Sequence, residues 1–168
     1  RQYGTDFRSV MPTNLYGIND NFDNNNSHVI PALIKRFHDA KVNKDKSVKV
    51  WGTGKALREF LYVDDMAQGS IFVLGVDKKL YDSHTSPMLS HINIGSGKEV
   101  SIRELAELIK NIVCFQGQLD FDDSKPDGAP RKLIDNSRIS NLGWEAEIDL
   151  SEGISKTYNW LKNHLKDI

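Results

Sequence analysis

Short apolar runs closed by Gly or Pro alternate along the chain with longer runs whose apolar residues recur every three or four positions. That alternation restricts the fold more than any single motif. Extended and helical segments in turn predict an α/β chain. Residues 7–11, 47–51, 58–63, 91–94 and 118–121 read as strands. Helices are expected after Ser27, after Asp64 or Asp65, after Ser101, over residues 137–142 and after Asp149. Residues 2–4 look like the tail of a further helix with Gly4 as its stop.

The helix starts carry recognisable chemistry. Ser27 is a good N-cap, and Pro31 is tolerated in a first turn, where backbone N–H groups lack partners. Val29, Ile30, Leu33, Ile34 and Phe37 then mark a buried face. His28 falls at the first helical position, near the positive end of the helix dipole. Asp64 or Asp65 can cap the second helix, with Met66, Ala67, Ser70, Ile71 and Leu74 on one face. Ser101 with Glu104, and Asp149 with Glu152, form capping boxes. Residues 18–26 are rich in Asn and Asp and read equally as a solvated loop or as the rim of a substrate site. Residues 78–87 read as a polar surface loop. Lys125-Pro126-Asp127-Gly128 is a turn signal within residues 122–132.

Composition removes several functions. The chain has 168 residues, with 22 Lys plus Arg against 23 Asp plus Glu and a formal charge of −1. That balance gives no general pull toward nucleic acid or membrane, although it permits a local basic pocket. No apolar run approaches the roughly 18 residues of a membrane span. A single cysteine, Cys114, allows no internal disulfide and points to a reducing, cytoplasmic setting. It follows Ile112 and Val113 and is expected to be a buried small hydrophobe. The five histidines share no ligand spacing, so no metal site is expected, and His38 and His164 are expected to be solvated.

Several residues admit two readings from sequence. His28 either satisfies a helix start or serves as a titratable group facing a cleft. Arg36, Arg58 and Lys132 are either surface charges or anion ligands. Trp51 is either packing or a flat contact wall, and Asp127 is either a turn former or a hydroxyl ligand. Gly52-Thr53-Gly54 and Gly95-Ser96-Gly97 both lack the third glycine of a dinucleotide fingerprint.

The motifs Pro12-Thr13-Asn14-Leu15-Tyr16-Gly17, Asn26-Ser27-His28-Val29-Ile30-Pro31, Arg58-Glu59-Phe60 with Val63-Asp64-Asp65, and Lys125-Pro126-Asp127-Gly128-Ala129-Pro130-Arg131-Lys132 carry a resemblance. The chain resembles the GDP-L-fucose synthase family of the extended short-chain dehydrogenases, from end to end. Arg-Glu-Phe with Val-Asp-Asp is common to the superfamily, and the His28 and Lys125–Lys132 motifs are more particular.

The resemblance implies the C-terminal part of a Rossmann-like doubly wound sheet plus a smaller α/β substrate-binding lobe. Residues 1–168 would be the substrate half of a longer chain. The family's Gly-rich turn, its reductase Ser and Tyr-x-x-x-Lys, and its epimerase Cys are expected upstream and not within this chain. An isolated half is expected to expose apolar surface where the other half packs. The resemblance also implies NADP(H) as cofactor, a GDP-sugar substrate and a homodimeric parent. His28 would be the general acid of epimerisation. Pro12, Thr13, Asn14, Leu15 and His28 would meet the cofactor, and Arg36, Trp51, Arg58, Asp127 and Lys132 the sugar nucleotide. Its alternative is a catalytically inactive module that binds GDP-sugars or pairs with a complete subunit.

Overall fold

The computed structural model describes residues 3–23 and 26–164. Eight strands and six helices follow in the order β1 (Ser9–Pro12), β2 (Asn14–Tyr16), α1 (Val29–Asn43), β3 (Ser47–Trp51), β4 (Leu57–Tyr62), α2 (Val63–Gly75), α3 (Lys78–Ser83), β5 (His91–Ile94), β6 (Glu99–Ser101), α4 (Ile102–Val113), β7 (Gln118–Asp122), β8 (Arg131–Lys132), α5 (Ser137–Asn141) and α6 (Leu150–His164). The α/β expectation holds. The expected helix tail at residues 2–4 falls partly on residues outside those described.

Three sheets organise the chain. β1 and β5 pair in parallel, as do β3 and β7. β4 lies between parallel β2 and antiparallel β6, and its start also pairs with β8. Alternation along β4 makes it a wall between two cores, because successive side chains face opposite ways. Phe60 and Tyr62 enter the larger core with Leu33, Ile34, Phe37, Val48, Val50, Leu105, Ile109 and Ile154. Leu61 enters the smaller one with Val73, Ile92, Ile94 and Ile139. The chain passes from the β1 sheet to the β4 sheet within one residue, Thr13. Its N–H donates to Ile94 O of β5 at 3.1 Å, and its hydroxyl to Glu59 O of β4 at 3.4 Å.

Several local expectations need correction. α1 starts one residue later than Ser27 predicts: His28 is the N-cap, without a side-chain cap bond, and Ser27 Oγ is buried with no partner among the described residues. Tyr62, not Asp64 or Asp65, precedes α2, and no side chain caps it. Asp65 is instead buried and accepts the N–H groups of Glu147 (3.2 Å) and Ile148 (3.0 Å). The buried face of α2 is Asp65, Gly69 and Val73, while Ile71 and Leu74 are exposed. Gly69 decides this: a Cβ there would lie 3.0 Å from Ile94 and 3.1 Å from Trp144, so the bare backbone packs where an apolar stripe was expected.

Residues 78–87 are not all loop, since Asp77 caps α3 through Lys79 and Leu80 N–H. The Ser101–Glu104 capping box is complete. Asp149 accepts the Glu152 N–H at 2.8 Å, while the Glu152 carboxylate pairs with Lys156. Cys114 is exposed, because it closes α4 in the left-handed conformation at φ 60°, which turns it off the buried face. His38 is half-buried, with Nδ1 3.2 Å from the Tyr158 hydroxyl, and burial pushes its imidazole below the usual range. His164 stacks on Trp160, ring centroids 4.4 Å apart. Among the described residues no helix is long and apolar enough to cross a membrane.

Candidate functional site

A cleft of about 370 Å³ opens along β2 and β4, beside the loop that follows β2 and the start of α1. Asn14, Leu15, Tyr16, Asp20, His28 and Arg58 all line it. Each arrives by a different local rule. The Thr13 crossing delivers Asn14, whose Nδ2 is fixed on Glu59 O at 2.7 Å. The N-cap position delivers His28 at the cleft edge. Arg58 comes from β4, where it shares a face with Phe60 and Tyr62.

The floor of this region is braced from beneath by a buried carboxylate. Glu59 accepts the Gly97 N–H at 2.8 Å and the Ile134 N–H at 3.1 Å. It thereby ties β4 to the turn after β5 and to the segment after β8. The sequence reading passed over Glu59 as part of a superfamily motif, although a glutamate inside an apolar strand is itself a signal of a satisfied buried charge.

A second group gathers beyond Arg58. Lys132 is its direct neighbour in the β4–β8 ladder. Gly128, at φ +71°, brings the adjoining turn so close that a Cβ would lie 3.7 Å from Arg58 Nη2. Asp127 accepts from both Thr53 N and Thr53 Oγ1 at 2.6 Å. The Thr53 hydroxyl and amide hold the Asp127 carboxyl below its usual range. Trp51 ends β3 two residues earlier, 66% exposed, with the Lys125 ammonium 5.9 Å from its ring centroid. The indole is thus open to solvent and belongs to neither core of this chain.

Not every expected residue meets in one place. His28, Asn14, Leu15 and Arg58 share the cleft, while Pro12 and Thr13 lie on the crossing that leads into it. Trp51, Asp127 and Lys132 form the outer group, joined to the cleft through Arg58. Arg36 lines neither, since its Nη1 donates to Lys49 O of β3 at 2.9 Å. Thr53 and Asp20 carried no expectation as individual residues.

Tyr158 and Lys162 do stand in the Tyr-x-x-x-Lys arrangement. They lie on α6, with the Lys162 ammonium 5.0 Å from the Tyr158 ring centroid and the hydroxyl turned to His38. Neither lines the cleft, so this spacing is a helix-surface pair and not part of the site.

Chemically, the cleft combines an imidazole, a guanidinium and a polar wall along the parallel β2–β4 pair. The chain is 55% identical over 160 residues to the GDP-L-fucose synthase of Escherichia coli (strain K12), covering 95% of this chain and 50% of that enzyme. It is 56% identical over 163 residues to GDP-L-fucose synthase 1 of Arabidopsis thaliana, covering 96% and 48%. A solved GDP-L-fucose synthetase from Naegleria fowleri bound to NADP superposes with a TM-score of 0.83 at 30% identity, over 95% of this chain and 48% of that one. The chain spans about half the length of these relatives. Residues 1–95 match the NAD dependent epimerase/dehydratase family, and the chain belongs to that family.

Proposed function

We propose that this chain supplies the sugar-nucleotide site of an NADP-dependent enzyme that converts GDP-4-keto-6-deoxy-D-mannose to GDP-L-fucose by 3,5-epimerisation and 4-reduction. The observation that carries the reading is the shared cleft of His28 and Arg58 beside the Thr13 crossing. Relatives at 55% and 56% identity that bear the name of that synthase support it.

The substrate has a carbonyl at C4, which makes the protons on C3 and C5 acidic. Inverting each carbon requires proton removal on one face and proton delivery on the other. His28, open to the cleft from the helix start, is the proton donor in this reading. Arg58 and Lys132, adjacent in the ladder, hold the diphosphate, the first through a planar fork and the second as a point charge. Trp51 offers its exposed indole face to the nucleotide or sugar, and Asp127 its carboxylate to a hydroxyl. Arg36 joins them only if its bond to the Lys49 carbonyl opens.

The cofactor end also fits this chain. Asn14 is rigidly held and Leu15 is half-buried where parallel strands end, an arrangement that suits a nicotinamide amide and ring. Pro12, Thr13, Asn14, Leu15 and His28 would border it. Bound there, NADPH supplies the hydride that reduces C4.

In the same reading residues 1–168 are the substrate half of a cytoplasmic homodimer. The apolar strip of Ile71 and Leu74, with Met11 on β1, which pairs on one side only, suits packing against a nucleotide-binding half. The test uses the full-length protein with GDP-4-keto-6-deoxymannose and NADPH in deuterated water. GDP-L-fucose deuterated at C3 and C5 is expected. His28→Asn should abolish that exchange, whereas a different product, or exchange that survives the substitution, rejects the reading.

A further inference from the structure

We propose that Asp20 is the counter-ion of His28 across the cleft they share. The inference rests on the reading of His28 as proton donor. An imidazole that delivers a proton must be recharged in every turnover, and the charged ring needs a partner in a cleft that already holds the Arg58 guanidinium. The titratable or charged side chains lining the cleft are Tyr16 from β2, Asp20 from the loop, His28 from the start of α1 and Arg58 from β4. Among the described residues Asp20 is the only carboxylate on this lining.

The loop is built to keep it there. Asp20 follows Asn19, which takes a left-handed φ of 60°. Its Oδ1 accepts the Asn21 N–H at 2.8 Å. Two residues after Asp20, Phe22 is buried and stacks on Trp160 of α6, ring centroids 5.9 Å apart. A residue in an Asn- and Asp-rich surface loop would ordinarily be solvated, yet Asp20 is half-buried. Burial raises its carboxyl above the usual range, and the His28 charge works in the opposite direction.

Two measurements test the pairing. The first follows the Asp20 carboxyl carbon by NMR as pH is varied, in this chain and in His28→Asn. Loss of the imidazole charge is expected to move the Asp20 midpoint upward, and an unchanged midpoint overturns the proposal. This readout needs no turnover, so it stands apart from the proposed reaction: a full-length protein that makes no GDP-L-fucose would refute that reaction and leave the titration to be read.

The second follows C3 and C5 proton exchange in the full-length protein. Asp20→Asn should lower kcat on the order of tenfold or more with KM nearly unchanged. The acid limb of the pH profile should disappear in that variant and return in Asp20→Glu. A change confined to KM, or an acid limb that persists in Asp20→Asn, overturns it.

Discussion

Asp127 and Thr53 lock two loops together through paired hydrogen bonds, one from the Thr53 amide and one from its hydroxyl, both 2.6 Å long. Arg103 secures the other side of the same turn. Its Nη2 donates to Thr53 O at 3.0 Å, and its guanidinium lies 3.8 Å from the Phe121 ring centroid. The clamp fixes the turn that follows Trp51 against the turn that approaches Arg58.

Asp127→Ala should therefore release both loops. Amide hydrogen exchange at Thr53 should accelerate markedly, with core amides such as Ile109 unchanged. The clamp also has a pH dependence of fixed sign. Its carboxyl is held below the ordinary value of 3.8, so the stabilisation is complete above that value and is lost as pH falls through the lowered midpoint. Fast exchange at Thr53 already at neutral pH in the unsubstituted chain would contradict the clamp.

Glu59 predicts a stability effect. Glu59→Ala removes the buried acceptor of the Gly97 and Ile134 N–H groups and should cost on the order of 3 kcal/mol. Glu59→Gln keeps one acceptor and should cost less. Urea denaturation of the three proteins gives the order, and equal midpoints would show that water replaces the carboxylate.

Arg58 separates substrate from cofactor. If its guanidinium grips a diphosphate, Arg58→Ala in the full-length protein should raise KM for the GDP-sugar roughly tenfold or more and leave KM for NADPH nearly unchanged. Lys132→Ala should act in the same direction but less strongly, because a point charge is lost and not a fork. Equal changes in both KM values would remove Arg58 from the substrate site.

How much was legible in sequence depended on whether the signal was local. The buried face of α1 was, because Ile30, Leu33, Ile34 and Phe37 share one helix and one period. So was the Ser101–Glu104 capping box, whose partners lie three residues apart. The α2 face was misjudged, because Gly69 and Asp65 face groups far along the chain, on Ile94, Trp144, Glu147 and Ile148. Asp20 was hidden for the same reason: composition marked its loop as wet, and only the Phe22 anchor on Trp160 draws it inward.

The sequence by itself determined the alternating α/β order, the starts of α4, α5 and α6 and the candidate chemistry of His28, Arg58 and Lys132. Those follow from backbone preferences and side-chain types, which act over a few residues. Only the tertiary structure decided which candidates meet. Parallel pairing of β2 with β4 and of β4 with β8 sets Asn14 and Lys132 beside the Arg58 strand, and α1 packing swings His28 to the same cleft while leaving Arg36 on Lys49. Such meetings depend on contacts between residues tens of positions apart, and no local preference encodes them.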